Sequence, residues 1–259
     1  MKLIVFRKKS KWMWWLLLLW LAVAVAVAAL TATKRAGAKA RKLPVYSVDR
    51  PDRKISLTFN AAWGDETTDG VLKILRENGI RATFFFVGDF VEKYPESVKR
   101  IAAAGHTLGN HSMRHKDPVR LDYAGVLSEI SQCSEAIAAV TGKKPALYRP
   151  PSGSYNDKTV EAAESLGLRA VQWSTDSVDW QNVTPEKMKE RVVSGAFPGA
   201  ILLFHLGKEN TLEALPGMIA ALKAADYEFV PVEELLLTGD TFVDANGCQR
   251  AAAASSPPQ

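Results

Sequence analysis

Two histidines that lie four residues apart, His111 and His115, are the first candidates for chemistry in this chain of 259 residues, which contains four histidines. On a helical turn, residues i and i+4 are neighbours, so both imidazoles can face one point and share a metal ion. Two imidazoles do not fill a zinc shell, and an isolated pair at this spacing also suits polar residues that solvate a loop. The metal interpretation therefore depends on whether other stretches converge on the same point.

The elements that must position these histidines are predicted by an alternation of apolar runs and amphipathic segments. Runs rich in β-branched and aromatic residues predict strands at residues 55–59, 83–87, 107–109, 146–148, 170–173, 200–204 and 228–230. Amphipathic segments, several of them followed by Gly, predict helices at residues 68–78, 95–104, 122–141, 156–166, from 184 onwards and at 211–225. Strict alternation predicts a parallel sheet covered by helices, and about seven such units predict a closed or nearly closed barrel.

Five stretches rich in polar residues follow these predicted strands directly. In a barrel of parallel strands, the reactive residues lie just past the carboxyl ends of the strands. The stretches are residues 60–66, His111 with His115, residues 149–153, residues 176–180 and His205 at the end of the sixth strand. Because all five fall on the same rim of the predicted barrel, they predict one shared site.

The order of these motifs resembles that of the NodB-homology polysaccharide deacetylases, carbohydrate esterase family 4, over about residues 50–238. The matches are HxxxH at His111–His115, RxPxG at Arg149–Gly153, DxxDW ending at Asp179–Trp180 and LxH at Leu203–His205. The resemblance implies an α/β fold, a distorted (β/α)7 barrel of the NodB-homology type. It also implies hydrolysis of N-acetyl groups of a cell-wall or spore-cortex glycan. The version of the first motif at Trp63–Glu66, joined to an apolar N-terminal segment, most resembles the PdaB-type branch associated with sporulation.

Hydrolysis of an N-acetyl amide requires a metal-held water, a base, a donor for the oxyanion and an acid for the leaving amine. The resemblance implies a divalent metal, expected to be zinc, on the two motif histidines. It implies His205 as the acid, with Asp179 fixing its tautomer. The other candidate site residues are Arg149 and Asn60 among the catalytic groups and Trp180, Leu203, Pro150, Ser152 and Trp63 around the substrate. Each also has an ordinary structural reading, such as an ion pair for Arg149, a helix cap for Asp179 or core packing for Trp180.

The first motif departs from the family pattern. The family has two adjacent aspartates there, a base and a third metal ligand, whereas this chain has Asn60 and Ala61. An amide does not titrate near neutral pH, and an alanine has no ligand atom. Asp65 is a candidate replacement ligand from the same loop, as is Glu66, although both residues also suit the first turn of the following helix. Without a replacement base, the rate is expected to fall about 10²- to 10⁴-fold.

These observations leave three hypotheses open. The leading one is a membrane-anchored polysaccharide deacetylase, impaired at its first motif. The second is a catalytically inactive carbohydrate-binding or sporulation structural protein that retains the deacetylase fold. The third is a barrel hydrolase with Asp176, Asp179 and Glu66 as paired carboxylates, which explains neither the histidine pair nor His205.

The N-terminal part of the chain differs from the rest in composition. Residues 1–11 are basic, and the uncharged run at 12–33 predicts a transmembrane anchor, with a signal segment as the alternative. Residues 34–50 are predicted to be a linker, 51–238 the deacetylase domain and 239–259 a flexible tail. Residues 1–42 carry ten of the 33 basic residues and none of the 28 acids, so the rest has a net charge of −5.

This charge distribution argues against nucleic acid as a partner, because the basic residues flank the predicted membrane segment. The expected partners are an N-acetylated polysaccharide and the membrane, and no obligate protein partner is inferred. We expect the domain to lie outside the cytoplasm, in the cell envelope or the forespore. The two cysteines, Cys133 and Cys248, do not form a disulfide framework.

Overall fold

The structure is a computed structural model that describes residues 12, 15–25, 41–181 and 183–252. Residues 12 and 15–25 are helical. In the described ranges, no helix is both long enough and apolar enough to cross a membrane. Much of the predicted anchor at 12–33, all of the basic segment at 1–11 and part of the predicted linker lie outside the described residues.

A sheet of parallel strands forms the centre of the unit that begins at Lys42. The strands are β2 (Lys54–Ala61), β3 (Thr83–Phe86), β4 (Thr107–Asn110), β5 (Leu147–Tyr148), β6 (Arg169–Ala170), β7 (Thr175–Asp176), β8 (Ile201–His205) and β9 (Glu228–Phe229). Their order in the sheet is β6-β5-β4-β3-β2-β8-β7, and β9 pairs with β2. A strand occupies each of the seven positions predicted from the sequence, so the parallel sheet is confirmed; β7 was not predicted.

Helices cover the sheet and alternate with its strands. They are α1 (Thr68–Glu77), α2 (Gly88–Lys93), α3 (Pro95–Ala103), α4 (Tyr123–Thr141), α5 (Asp157–Ser165), α6 (Pro185–Ser194), α7 (Glu209–Ala224) and α8 (Val232–Leu235). The six predicted helices are present, and the short α2 and α8 are additional. Helix α4 begins after Asp122, whose side chain accepts a hydrogen bond from the Gly125 amide, and ends at the left-handed Gly142, φ 73°.

The barrel is not closed by strand pairing, because β6 and β7 end the sheet without pairing with each other. The segment before β2 lies near this opening: Val45 forms a bridge with Val171, and Ser47 forms one with Ala200. The distorted barrel predicted from the resemblance is therefore the observed fold, with an extended segment near its open side.

Secondary structure continues across two of the predicted domain boundaries. The end of the predicted linker forms β1 (Ser47–Val48), and the predicted flexible tail forms β10 (Thr241–Val243) and β11 (Cys248–Ala251). Strand β11 pairs with both of the others to form a small second sheet. The physical reason is burial, because Val45 and Val48 are at most 1% exposed and anchor this segment in the core.

Side-chain alternation along β2 separates the helical core from the site. Phe59 stacks on Phe84 with ring centroids 5.0 Å apart, and it also contacts Phe204, at 5.5 Å. The next residue, Asn60, is in register with Phe85 of β3 and His205 of β8. Since successive side chains of a strand point to opposite faces, Asn60 and His205 lie side by side on the inner face.

A buried histidine at the other end of the sheet makes folding stability depend on pH. His106 is 8% exposed, and its Nδ1 accepts a hydrogen bond of 3.1 Å from the Ala82 amide. Burial, with a smaller contribution from the charge of Arg81, lowers its pKa from 6.5 to about 4. As the pH falls below about 6.5, the unfolded chain gains a proton at this position that the folded chain does not, so stability falls until about pH 4.

We expect the wild type to lose about 2 kcal/mol more than His106→Asn between pH 7.5 and pH 5. Asparagine retains an acceptor for the Ala82 amide but does not titrate. Urea denaturation at the two pH values measures the difference. Equal losses in the two proteins would contradict this role for His106.

Candidate functional site

A cavity of about 420 Å³ lies at the carboxyl ends of the strands. It is lined by Asn60, Trp63, His115, Ser152, Trp173, Asp176, Trp180, Leu203 and His205. Seven of these residues were predicted at the site from the sequence as substrate, metal or catalytic residues, and an eighth, Asp176, belonged to the paired-carboxylate hypothesis. The structure therefore brings the predicted stretches to one shared hollow.

A line of hydrogen bonds crosses the floor of this cavity. Arg149 donates from Nη1 to Asn60 Oδ1 at 3.0 Å. The Asn60 Nδ2 amide group lies 3.5 Å from His205 Nε2, and His205 Nδ1 lies 2.6 Å from Asp179 Oδ1. Because a carboxylate only accepts, His205 Nδ1 carries the ring proton and donates it to Asp179. His205 Nε2 therefore presents its lone pair to the Asn60 amide.

Arg149 is a fully buried cation with no ion pair among the described carboxylates. Its Nη2 donates to the Gln172 carbonyl at 3.0 Å, and its guanidinium lies 4.0 Å from the Phe85 ring centroid and 5.7 Å from that of Trp173. Its Nε has no hydrogen-bond partner in the described part of the chain. Burial lowers the pKa of Arg149 to about 9. Hydrogen bonds and aromatic faces hold this guanidinium, and the negative charge of Asp176 opposes part of the effect of burial on its pKa.

The two motif histidines contact each other but do not lie on a helical turn. Ser112 and His115 have positive φ angles, 72° and 53°, in an irregular loop after β4, so the predicted helical turn is wrong. The rings of His111 and His115 are nevertheless 4.9 Å apart and almost perpendicular. His111 Nδ1 donates to the Arg149 carbonyl at 2.7 Å. Burial lowers the pKa of both imidazoles, which favours their neutral forms.

Asp65 does not face the histidine pair. Its Oδ2 accepts a hydrogen bond of 2.5 Å from Ser97 Oγ on α3, so the loop carries this carboxylate towards the helical layer. Among the described residues, no group of three or more His, Cys, Asp or Glu side chains could hold a metal ion. The assignment of Asp65 as the third ligand is therefore contradicted by this arrangement.

The donor set does not fit the metal that the resemblance implies. A catalytic zinc normally takes three protein ligands, whereas this cavity offers the imidazoles of His111 and His115. Ala61, the second residue of the altered motif, is completely buried and has no ligand atom. Asn60 is oriented by Arg149 and its amide nitrogen faces His205.

The walls of the cavity are aromatic. Trp63 and Trp180 are 54% and 53% exposed, so the core-packing reading of Trp180 is wrong. The Trp63 ring lies 5.4 Å from that of His205 and 6.3 Å from that of His115, with the Lys208 ammonium 5.3 Å from its centroid. Leu203 is buried beneath the cavity.

The loop after β5 contributes the remaining predicted residues. Pro150 precedes a short 3-10 turn, Pro151–Gly153, in which Ser152 adopts a left-handed conformation with φ 55°. Ser152 lines the cavity, whereas Pro150 is not among the lining residues.

Three residues of the site were missed by the sequence analysis. Trp173 lines the cavity just beyond β6, and Thr211 Oγ1 donates to Asp179 Oδ2 at 2.7 Å. The Gln172 carbonyl accepts from Arg149, as described above. Trp173 is the last residue of the strand predicted at 170–173, and this position was a usable signal, because residues at the same rim, just past other predicted strands, were chosen on that basis. Thr211 lies on α7, and the sequence carries no signal for its contact.

The sequence of this chain is similar to that of known proteins over most of its length. The family described as Polysaccharide deacetylase matches residues 47–171. The chain is 32% identical over 196 residues to the peptidoglycan-N-acetylmuramic acid deacetylase PdaA of Bacillus subtilis, covering 74% of each protein. The chain belongs to the polysaccharide deacetylase family.

Other relatives are longer than this chain. The match to the Listeria monocytogenes peptidoglycan-N-acetylglucosamine deacetylase PgdA covers 79% of this chain but 43% of PgdA, with 33% identity. This chain spans 60% of the Bacillus subtilis protein YlxY, with 32% identity. Among solved structures, BA3943 of Bacillus anthracis, a pseudoenzyme of carbohydrate esterase family 4, matches with a TM-score of 0.72 and 33% identity, over 74% of this chain and 68% of that one. The family thus contains both named deacetylases and a pseudoenzyme.

Removal of the Asp179 carboxylate should destabilise this polysaccharide deacetylase fold. Asp179 accepts from the His205 amide at 2.7 Å, from His205 Nδ1 and from Thr211 Oγ1. In Asp179→Ala these buried donors lose their acceptor, and we expect about 2–4 kcal/mol less unfolding free energy. Thr211→Val, which removes one donor, should cost about 1 kcal/mol. Chemical denaturation measures the unfolding free energy of both variants. Equal losses in Asp179→Ala and Thr211→Val would show that Asp179 does not organise the groups around His205.

Proposed function

We propose that this chain binds N-acetylated cell-wall glycan in the deacetylase cleft without hydrolysing its acetyl groups by the metal-dependent route. One observation carries this proposal: the Asn60 side chain, fixed by Arg149, stands where the family has a carboxylate base. An amide cannot take a proton from water near neutral pH. The neighbouring Ala61 cannot bind a metal, so the base and the third ligand are lost together.

The orientation of Asn60 affects the acid as well as the base. Because Oδ1 accepts from Arg149, the amide NH2 group points to His205 Nε2. This orientation places a hydrogen-bond donor, rather than an acceptor, against the ring nitrogen that would give its proton to a leaving amine. The hydrogen-bond polarity of the floor thus opposes both proton transfers that amide hydrolysis needs.

The glycan part of the proposal rests on the aromatic walls and on the relatives. Trp63, Trp173 and Trp180 give the cavity apolar faces, and Asn60, Ser152 and Asp176 supply polar groups beside them. A cavity with mostly apolar walls and a few polar groups is typical of sites for small organic ligands. PdaA and PgdA are named for deacetylation of peptidoglycan sugars.

A slow deacetylase is the second candidate function. The observation that favours it is the intact His205–Asp179 pair beside two neutral imidazoles. Acetate release from N-acetylated peptidoglycan or chitooligosaccharides, measured with and without added zinc or cobalt, distinguishes the two functions. Metal-stimulated acetate release by the unmodified chain would favour the deacetylase.

We also propose that the chain is anchored in the membrane by residues 12–33, with the deacetylase unit outside the cytoplasm. The uncharged run and its basic flanks support this placement. A sporulation role of the PdaB type is proposed on the sequence Trp63–Glu66. Fractionation of cells that express the full chain, followed by protease treatment of spheroplasts, tests the anchor and the orientation.

Glycan affinity should depend on the exposed indole of Trp180. We expect Trp180→Ala to weaken binding of chitooligosaccharides by about 3- to 10-fold, because an aromatic face is lost. Phe197→Ala is the matched control, since Phe197 is 41% exposed but precedes β8, at the opposite end of the strands. Isothermal titration calorimetry measures both. If Trp180→Ala bound these sugars as tightly as the wild type, the cleft would not be the glycan site.

Restoring the family's two aspartates should restore the missing chemistry. We expect Asn60→Asp combined with Ala61→Asp to bind zinc and to gain about 10²- to 10⁴-fold in acetate release. A mutant of BA3943 is described as having restored enzymatic activity, which supports this design.

Adding Asp65→Ala to that double variant is the control for the metal site. Because Asp65 faces Ser97, zinc affinity should stay unchanged. A loss of zinc binding would show that Asp65 is a zinc ligand. A double variant that folds, binds zinc and remains inactive would show that the defect lies beyond the first motif.

A further inference from the structure

The loop that carries both motif histidines has a conformation that residues with side chains rarely adopt. Ser112 and His115 lie in the left-handed region, with φ of 72° and 53°. Such conformations persist when the surrounding structure over-determines them. In many sites a bound metal could supply that constraint, but the residues of this cleft do not complete a metal shell. Some other contact must therefore hold the loop.

Helix α2 fixes one side of the loop through its first amides. The Gly88 amide donates to the Ser112 carbonyl and the Asp89 amide donates to the Met113 carbonyl, both at 3.0 Å. A side chain at position 88 would place its Cβ 2.1 Å from Met113 Sδ, so the close approach requires glycine. These contacts fix the middle of the loop, and the His111 ring is held separately by its hydrogen bond to the Arg149 carbonyl.

Helix α4 fixes the other side through one buried carboxylate. Glu129 is 8% exposed, and its Oε2 accepts from Ser112 Oγ at 2.9 Å and from the Arg114 amide at 2.8 Å. Its Oε1 pairs with Lys116 Nζ at 3.0 Å. The groups that Glu129 holds thus follow His111 directly and flank His115 on both sides.

We propose that Glu129 is a positioning residue that holds His111 and His115 facing each other without a metal ion. Glu129 contacts both places where the backbone φ is positive. It accepts directly from the Ser112 hydroxyl, and it accepts from the backbone amide of Arg114, the residue that precedes His115. His115 lines the cavity and lies beside Trp63, so Glu129 also supports one wall of the cleft. The consequence for glycan binding rests on the proposed function, whereas the placement of the imidazoles does not.

The four histidines of the chain allow a direct test by NMR of ¹⁵N-labelled imidazoles, recorded with a chelator present. In Glu129→Ala, the Ser112 hydroxyl and the Arg114 amide lose their acceptor, and the His111 and His115 signals should shift and broaden. Glu129→Gln keeps one acceptor oxygen and should restore most of the wild-type positions. His106, at the opposite end of the sheet, is the internal reference. Glu135→Gln, an exposed position of the same helix, is the matched control.

The outcomes separate positioning from general stabilisation. Unchanged His111 and His115 signals in a folded Glu129→Ala protein would overturn the proposal, as would equal shifts of His106. If Glu129→Ala does not fold, Glu129→Gln decides: signals close to those of the wild type support the proposal, and His111 and His115 signals that converge on the position of unfolded histidines overturn it.

Chitooligosaccharide affinity, measured on the same proteins, reports on the cleft. We expect it to fall on the order of tenfold in Glu129→Ala and to recover in Glu129→Gln. If the wild type binds none of these sugars, the proposed function fails while the imidazole result still tests Glu129.

Discussion

The buried guanidinium of Arg149 is the constraint on which the site depends. A cation removed from water must be held by hydrogen bonds and by favourable electrostatic partners, or its burial would unfold the protein. Here its donors reach Asn60 on β2 and the Gln172 carbonyl after β6, and the Phe85 ring on β3 lies against it. The backbone carbonyl of Arg149 accepts a hydrogen bond from His111 Nδ1. One residue thus connects three strands and the histidine loop.

This constraint explains how the chemistry can change while the geometry stays. A carboxylate at position 60 would give Arg149 a charged partner, but an amide oxygen meets the same requirement for an acceptor. The fold therefore tolerates Asn60, because the hydrogen bond from Arg149 survives. Under the proposed function the proton chemistry does not survive, because the other half of the amide is a donor that faces His205. A substitution that leaves the packing unchanged can thus remove the base.

Much of the fold follows from local signals, and much of the site does not. Strand positions were predictable because apolar runs and helix-ending glycines recur along the chain, and their order placed His205 and Asp179 on one rim. The turn of Asp65 towards Ser97 depends on where α3 packs, which no local pattern encodes. Strand β11 of the predicted tail pairs with residues some 200 positions earlier, at Ser47 and Val48. The helical spacing of the histidines was misleading, because left-handed residues break the helix between them.

Under the proposed function, binding and catalysis depend on different parts of this cleft. Trp63 and Trp180 lie on loops and present exposed faces, so their contact with a sugar would need neither a metal nor a titrating group. Asn60 and His205 lie on strand ends, where Arg149 turns the Asn60 amide nitrogen towards His205. Loss of the first motif therefore acts on the strand ends alone and leaves the loops in place. A chain with this division can keep a glycan-binding cleft after its hydrolytic machinery is gone, which is why family membership alone does not determine its activity.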